Sequence, residues 1–397
     1  MSTTLLPSRP SPRSPLPRAP GPSLSRLPET SLFHAGDAWP RWSQSSLLIA
    51  GAGALGTPLA FETVRAGARG VTIVDKDTIT DPLRIGAGYG GCGRSKAFAL
   101  AGACEAITPG RVRALHGDLR HVGVGVFAAA DLIVDATDDP NLAGYLTRIS
   151  NGVGTALMRV AVDGSGRHNR GRVLISHGGG GHACQLCCWE VKHLLRSLPR
   201  TPCPGVVGGP APTLAAHSTT TGMAGVALHY AMRLLTGDQD VLDRETIIDL
   251  DNMQIIQQRL ARAEACLSGH KRWQWEQVDA RAQGCTLRAA FDLLSERLGG
   301  EAELSDYCHP LWTAADCSNC GGVQGAVGTW WAVPPACSRC GAPTAWQLGS
   351  DLTTLALHEA EQWGVLDRTL AELGLPERGA MLIGRARGAR PVRIVLA

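Results

Sequence analysis

Short, nearly continuous apolar runs alternate with segments of helical spacing between Ser45 and Ser176. "LLIAG" from Leu47, "VTIVD" from Val71 to Asp75 and "DLIVDAT" from Asp131 to Thr137 read as buried strands, because each is almost unbroken by polar residues. Between them, "LGTPLAFETVRAG" from Leu55 and "RSKAFALAGACEAI" from Arg94 read as helices, and another passes through "DPNLAGYLTRIS". "ALMRVAV" and "GRVLIS" read as two further strands. This alternation predicts an α/β fold, a Rossmann-like, doubly wound and mostly parallel sheet covered by helices on both faces.

The pattern then breaks. Residues 196–212, "RSLPRTPCPGVVGGPAP", are too rich in Pro and Gly for regular structure. A helix of small residues follows from about Thr213 to Leu235, and "TIIDLD" reads as a late strand. After Ala263 the texture changes: Trp, Cys and Gly become frequent. "TTLALHEAEQWGVLDRTLAELGL" is expected to be helical and "VRIVLA" to be a terminal strand. The organisation expected is a disordered arm over 1–30, a main α/β domain over 31–264 with the irregular loop near 196–212 crossing over it, and a cysteine-rich C-terminal α/β region over 265–397. The arm, Pro-, Ser- and Arg-rich, lacks the apolar stretch of a secretory signal and cannot bury a core of its own.

Composition narrows the classes. A net charge of +3 is too small to argue for a nucleic-acid or membrane partner, and no apolar run is long enough to span a bilayer. Thirteen cysteines, an odd count with several C-x-x-C pairs, point to metal ligation or thiol chemistry in a reducing compartment, hence a cytoplasmic location.

"GAGALG", Gly51 to Gly56, lies between the first strand and the first helix. Glycines there let backbone amides approach phosphate, and the helix N-terminus adds a favourable dipole. Asp75 ends the next strand, where an acid hydrogen-bonds ribose hydroxyls. The turn alone suits either a nicotinamide dehydrogenase or phosphate chemistry. The company it keeps favours the second. Asp77, Asp81 and Arg84 follow in "VDKDTITDPLR", Lys96 opens a helix in "GRSKA", and Asp138 lies just past a strand end in "DATDDP". Joining a carboxylate to ATP brings an anion against a polyanion, so it needs cations for the departing phosphates and an acid for magnesium. Arg84 and Lys96 supply the cations; Asp138 supplies the acid.

"GAGALG", "VDKD", "DPLR", "GRSKA" and "DATDD", in this order over residues 45–250, resemble the core of the ThiF/MoeB-like adenylating enzymes, the superfamily of ubiquitin-activating enzymes. The resemblance implies ATP- and Mg2+-dependent adenylation of the C-terminal carboxylate of a small ubiquitin-like (β-grasp) protein, by a homodimer. It assigns Gly51, Gly53 and Gly56 to phosphate, Asp75 to ribose, Arg84 and Lys96 to the phosphates and Asp138 to magnesium, with Asp77 beside them. Asp81 departs from the pattern, since relatives commonly carry Asn there. Relatives also borrow an arginine from the opposite subunit, for which Arg26 and Arg41 are candidates.

Cys317-x2-Cys320 and Cys337-x2-Cys340, each followed by Gly and separated by sixteen residues, have the spacing of a zinc ribbon. Cys184-x2-Cys187 is half of such a site. The resemblance places a second pair near Cys266-x3-His270, completing a Zn2+ site of Cys184, Cys187, Cys266 and His270, with Cys188 competing for register. Cys203, in the loop ahead of the small-residue helix, resembles the thioester-forming cysteine of autophagy-type activators; it would take the acyl group and hand it to a conjugating enzyme. Cys92, Cys104, Cys285 and Cys308 carry no motif. Two other readings remain: a sulfur-carrier adenylyltransferase that forms no thioester, and a catalytically dead scaffold that binds a ubiquitin-like protein.

Overall fold

The computed structural model describes residues 39–80, 91–163, 167–177, 181–188 and 216–305. From there it describes 311–317, 319–321, 323–329, 336–337, 339–342, 346–348, 351–352 and 354–397. The loop 196–212, with Cys203, lies outside the described residues, as do Arg26, Asp81, Arg84 and Cys308.

After a short helical turn, α1 (Trp39–Trp42), the chain builds β1 (Ser46–Ala50), α2 (Gly56–Arg65), β2 (Gly70–Asp75), α3 (Lys96–Glu105), β3 (Val112–His116), α4 (Val124–Ala128), β4 (Leu132–Asp135), α5 (Pro140–Val153) and β5 (Ala156–Val162). Then come β6 (Arg170–Ser176), α6 (His217–Thr236), β7 (Arg244–Asp249) and β8 (Gln254–Arg259). The eight strands form one sheet in the order β3-β2-β1-β4-β5-β6-β7-β8. The pairs β3–β2, β2–β1, β1–β4 and β4–β5 are parallel; β5–β6, β6–β7 and β7–β8 are antiparallel.

Two helical layers cover the parallel part, as its unbroken apolar strands require. On one face Leu47, Ile49, Ile73, Leu132 and Val134 pack with α2, α3 and α6 around Leu59, Leu100 and Ala227. On the other, Leu48, Val74, Ile133 and Leu157 pack against α4 and α5 through Phe127, Leu146 and Ile149. Trp42, fully buried, donates its indole N–H to the carbonyl of Ala66 at 2.6 Å and so ties α1 to the end of α2. Arg41 donates to the carbonyl of Thr236 at the end of α6 at 2.9 Å.

A second sheet, β15-β10-β16-β17-β9, is assembled from β9 (Glu276–Val278), β10 (Glu303–Ser305), β15 (Leu355–Ala356), β16 (Met381–Arg385) and β17 (Val392–Leu396). One face carries α7 (Leu287–Leu298) over Leu304, Leu382 and Ile394. Its other face presents Met381, Ile383 and Val395 to Val122, Val124 and Phe127, so the α4 layer is shared by both sheets. The backbone itself closes the seam: Gly125 N–H donates to Gly379 O at 3.0 Å.

Between β10 and β15 sits a third, antiparallel sheet of β11 (Leu311–Cys317), β12 (Val323–Thr329), β13 (Trp346–Leu348) and β14 (Asp351–Leu352). The long helix expected from Thr353 is realised only as α8 (Leu357–Gln362), after which turns run to β16. Gly364 and Gly374, at φ +63° and +80°, interrupt the helical spacing in left-handed conformations that stop a helix.

Candidate functional site

The glycine turn lies at the C-terminal ends of the parallel strands, the edge where open α/β sheets bind ligands. Gly51 adopts φ +100°, and a Cβ there would meet the Ala136 carbonyl at 3.0 Å. A Cβ on Gly56 would stand 1.9 Å from the carbonyl oxygen of Gly51. These two glycines let the turn fold on itself and against the end of β4. Gly53 is different: a Cβ there would meet nothing within 4 Å. Its backbone faces open space, a cradle that a phosphate can enter and that fits the nucleotide expected from sequence.

Asp75 braces this turn. Its carboxylate accepts from the Ala52 N–H at 2.6 Å and from the Asp77 N–H at 2.7 Å. Burial pushes its pKa above the ordinary carboxylate value, and those two amides and the Lys96 charge offset part of the rise. Each carboxylate oxygen retains a lone pair for a sugar hydroxyl. Lys96, first residue of α3, holds Asp77 at 2.9 Å. Lys96 N–H also donates to the Asp77 carbonyl at 3.0 Å, so turn and helix are locked together. Ser95 caps α3, accepting from the Phe98 N–H.

Asp138 is exposed in the loop after β4, a strand that lies beside β1. The structure therefore brings Gly51, Gly53, Gly56, Asp75, Asp77, Lys96 and Asp138 to one edge. Arg84 and Cys203 lie outside the described residues.

Sequence reasoning missed a pair at this edge. Asp135 closes β4 and is fully buried; Arg159, in β5, is its cross-strand neighbour and 9% exposed. Asp135 Oδ1 accepts from the backbone N–H and hydroxyl of Thr137 at 3.1 and 2.7 Å. Asp135 Oδ2 faces Arg159 Nε at 3.7 Å, and neither atom has a hydrogen-bond partner. Burial raises the Asp135 pKa and lowers that of Arg159, each opposed by the partner's charge. The signal in the sequence was an arginine in the middle of the apolar strand "ALMRVAV".

Two clusters gather metal-ligating atoms. Cys184, Cys187, Cys266 and His270 place one ligand atom each within 4.8 Å of one another. Cys184 and Cys266 sulfurs are 3.5 Å apart, and Cys187 Sγ is 3.2 Å from His270 Nε2. Cys184 directly precedes the 3-10 turn Gln185–Cys188, and Cys187 lies within it. His270 takes φ +47°, and its ring meets Cys187 of that pair. Cys188 is exposed and is not among the four ligand atoms of this cluster. Cys317, Cys320, Cys337 and Cys340 form the second cluster, with Cys317–Cys340 and Cys320–Cys337 sulfurs 3.6 and 3.8 Å apart. Four thiolates around a tetrahedral ion at ~2.3 Å stand ~3.8 Å from one another, so both donor sets fit a closed metal site. Backbone N–H donors, the side chain of Asn319 and neighbouring thiols lower the Cys340 pKa to about 6, toward the ligating thiolate. Cys104, by contrast, is buried and pushed up to about 12, an inert packing thiol.

Fold and glycine turn define a class, the α/β proteins that bind a nucleotide at the C-terminal edge of a mostly parallel sheet. A match to the ThiF family spans residues 28–268, and the chain belongs to that family. No curated protein matches it. Among solved structures, MccB from E. coli with ATP is similar at a TM-score of 0.48 and 13% identity, over 58% of this chain and 68% of that one. MccB with succinimide gives the same values. PaaA is similar at a TM-score of 0.46 and 15% identity, over 58% of this chain and 80% of that one. Among the described residues, no helix is long and apolar enough to cross a membrane.

Proposed function

We propose that this protein activates the C-terminal carboxylate of a small protein or peptide by ATP-dependent adenylation. The observation that carries the reading is one sheet edge holding an open glycine cradle braced by Asp75, with Lys96 on one side and Asp138 on the other. A carboxylate oxygen of the partner attacks the α-phosphorus of ATP. The bond between the α-phosphorus and the bridging oxygen breaks, and pyrophosphate leaves with that oxygen. The products are acyl-adenylate and pyrophosphate. The Gly53 backbone receives phosphate, Asp75 a ribose hydroxyl, and Lys96 and Arg84 the charge developing on the leaving group. Asp138 is the residue to hold Mg2+, which neutralises phosphate charge when bound.

The finer reading is a ubiquitin-like activator. Its partner is a β-grasp protein, it works as a homodimer, and Cys203 takes the acyl group as a thioester with release of AMP. The Cys184/Cys187/Cys266/His270 cluster and the ribbon cysteines each hold structural Zn2+; both sets are closed by four protein ligands, leaving no open position for catalysis.

The test is pyrophosphate–ATP exchange with candidate ubiquitin-like proteins and short peptides ending in a free glycine carboxylate, read beside intact mass. Exchange with a thiol-labile adduct that vanishes in Cys203→Ala supports the full reading. Exchange without an adduct leaves adenylation standing and moves the sulfur-carrier reading to first place. A protein that binds no Mg-ATP overturns both.

A further inference from the structure

The Asp135–Arg159 pair is unusual for its unfinished contacts. A buried ion pair is stable only when geometry is close and the remaining polar atoms are satisfied. Here Asp135 Oδ2 and Arg159 Nε are both buried, both without a hydrogen bond, and separated by 3.7 Å. Asp135 is anchored from behind by Thr137, so it aims Arg159 without consuming its donors.

Its location says what those donors meet. The nucleotide elements lie toward β2: Asp75 ends β2, and the glycine turn follows β1. Arg159 lies on the opposite side, beyond β4, about two strand spacings (~10 Å) from β1. Ala136 and Thr137, directly after Asp135, pack against Gly51, so the pair borders the phosphate cradle. If Asp75 takes the ribose, as proposed above, the β5 side is the one left for a second substrate. Asp135 lies beside Arg159; the charge of Arg172 acts on that guanidinium against Asp135, and that of Asp139 acts with it. Two acids and two cations already balance there, so a group with a single negative charge fits better than a multiply charged phosphate.

We propose that Arg159 binds the carboxylate of the acyl partner, holding it beside the Asp138 loop while the two anions are brought together. Asp135 is the positioning residue for that guanidinium. This rests on the adenylation reading above, and it adds a substrate-binding residue from outside the glycine-turn motifs.

The probe is tetraglycine labelled with 13C at its carboxyl carbon, titrated by NMR into the full-length protein with Mg2+ and a non-hydrolysable ATP analogue. Saturable perturbation of the carboxyl resonance is expected, uncompeted by tetraglycine amide. The variant Asp135→Asn/Arg159→Gln keeps a neutral hydrogen-bonding pair and hence the fold. It is expected to bind the nucleotide within about twofold and the probe at least about tenfold more weakly. Arg159→Lys retains the charge opposite Asp135 but loses the planar fork, so the probe weakens several-fold. Unchanged probe binding in either variant overturns the proposal and makes the pair structural. So does a parent protein that binds nucleotide yet shows no saturable probe binding, or binds the amide equally. A parent protein that binds no nucleotide overturns the adenylation reading instead.

Discussion

The two halves of the large sheet are built from similar strands and do different work. In the parallel half, β1 and β4 are buried along nearly their whole length, and the helices over them leave only the C-terminal edge for chemistry. In the antiparallel half, every residue of β8 is exposed, Ile255 and Ile256 among them, as is Met253 just before it. Polar pairs cross its strands instead: Arg170 with Asp249 at 2.8 Å, Arg172 with Glu245 at 3.4 Å, and Gln258 with Glu245. A strand covered on both sides must be apolar throughout; a hairpin covered on one side is free to vary its outer face. The parallel half is thus closed to polar side chains along its strands, whereas β8 presents its whole length to solvent.

Four substitutions, with Gly53→Ala and Ile49→Ala as controls, sharpen or break that contrast. The largest expected effect is Asp138→Ala, lowering pyrophosphate exchange by about 10²–10³-fold with an unchanged melting temperature, since the side chain is exposed. A parallel fall in stability would make Asp138 structural. Next is Gly56→Ala. Its Cβ would collide with the Gly51 carbonyl, so stability is expected to drop by about 3 kcal/mol with nucleotide binding lost, measured by urea unfolding and calorimetric titration. Gly53→Ala is the internal control: the fold tolerates it, while Mg-ATP affinity falls because the new methyl enters the open cradle. Third, Cys187→Ser is expected to lower bound zinc from about two equivalents per chain to about one, counted by mass spectrometry, with a lowered melting temperature. The smallest effect is expected at the outer edge: Ile256→Lys changes stability by less than about 0.5 kcal/mol. If it instead costs as much as Ile49→Ala (about 2–5 kcal/mol), the β8 face is covered in the native protein and the contrast fails.

The motifs were legible because they join neighbours in the chain. "GAGALG", the strand ending at Asp75 and the capped helix starting at Lys96 are local structures whose geometry follows from spacing. The Cys317/Cys320 and Cys337/Cys340 units are legible for the same reason, since two knuckles close one tetrahedron. The expected helix from Thr353 failed because apolar spacing alone is blind to left-handed glycines such as Gly364 and Gly374. β3, β8 and β9 escaped notice: β3 is half-polar, β8 is entirely exposed, and β9 is only three residues long.

By itself, the sequence determined most of the buried strands and helices of the large sheet, the glycine turn with Asp75, Lys96 and Asp138 at its strand ends, and the pairing of the ribbon cysteines, all set by periodicity, turn chemistry and short-range spacing. The resemblance offered the set Cys184, Cys187, Cys266 and His270, and the tertiary structure brings the four together; only the structure decided that the C-terminal sheet shares the α4 layer and that Arg159 stands against Asp135. Those contacts join residues far apart in the chain, and packing of the whole sheet, not any local preference, brings them together.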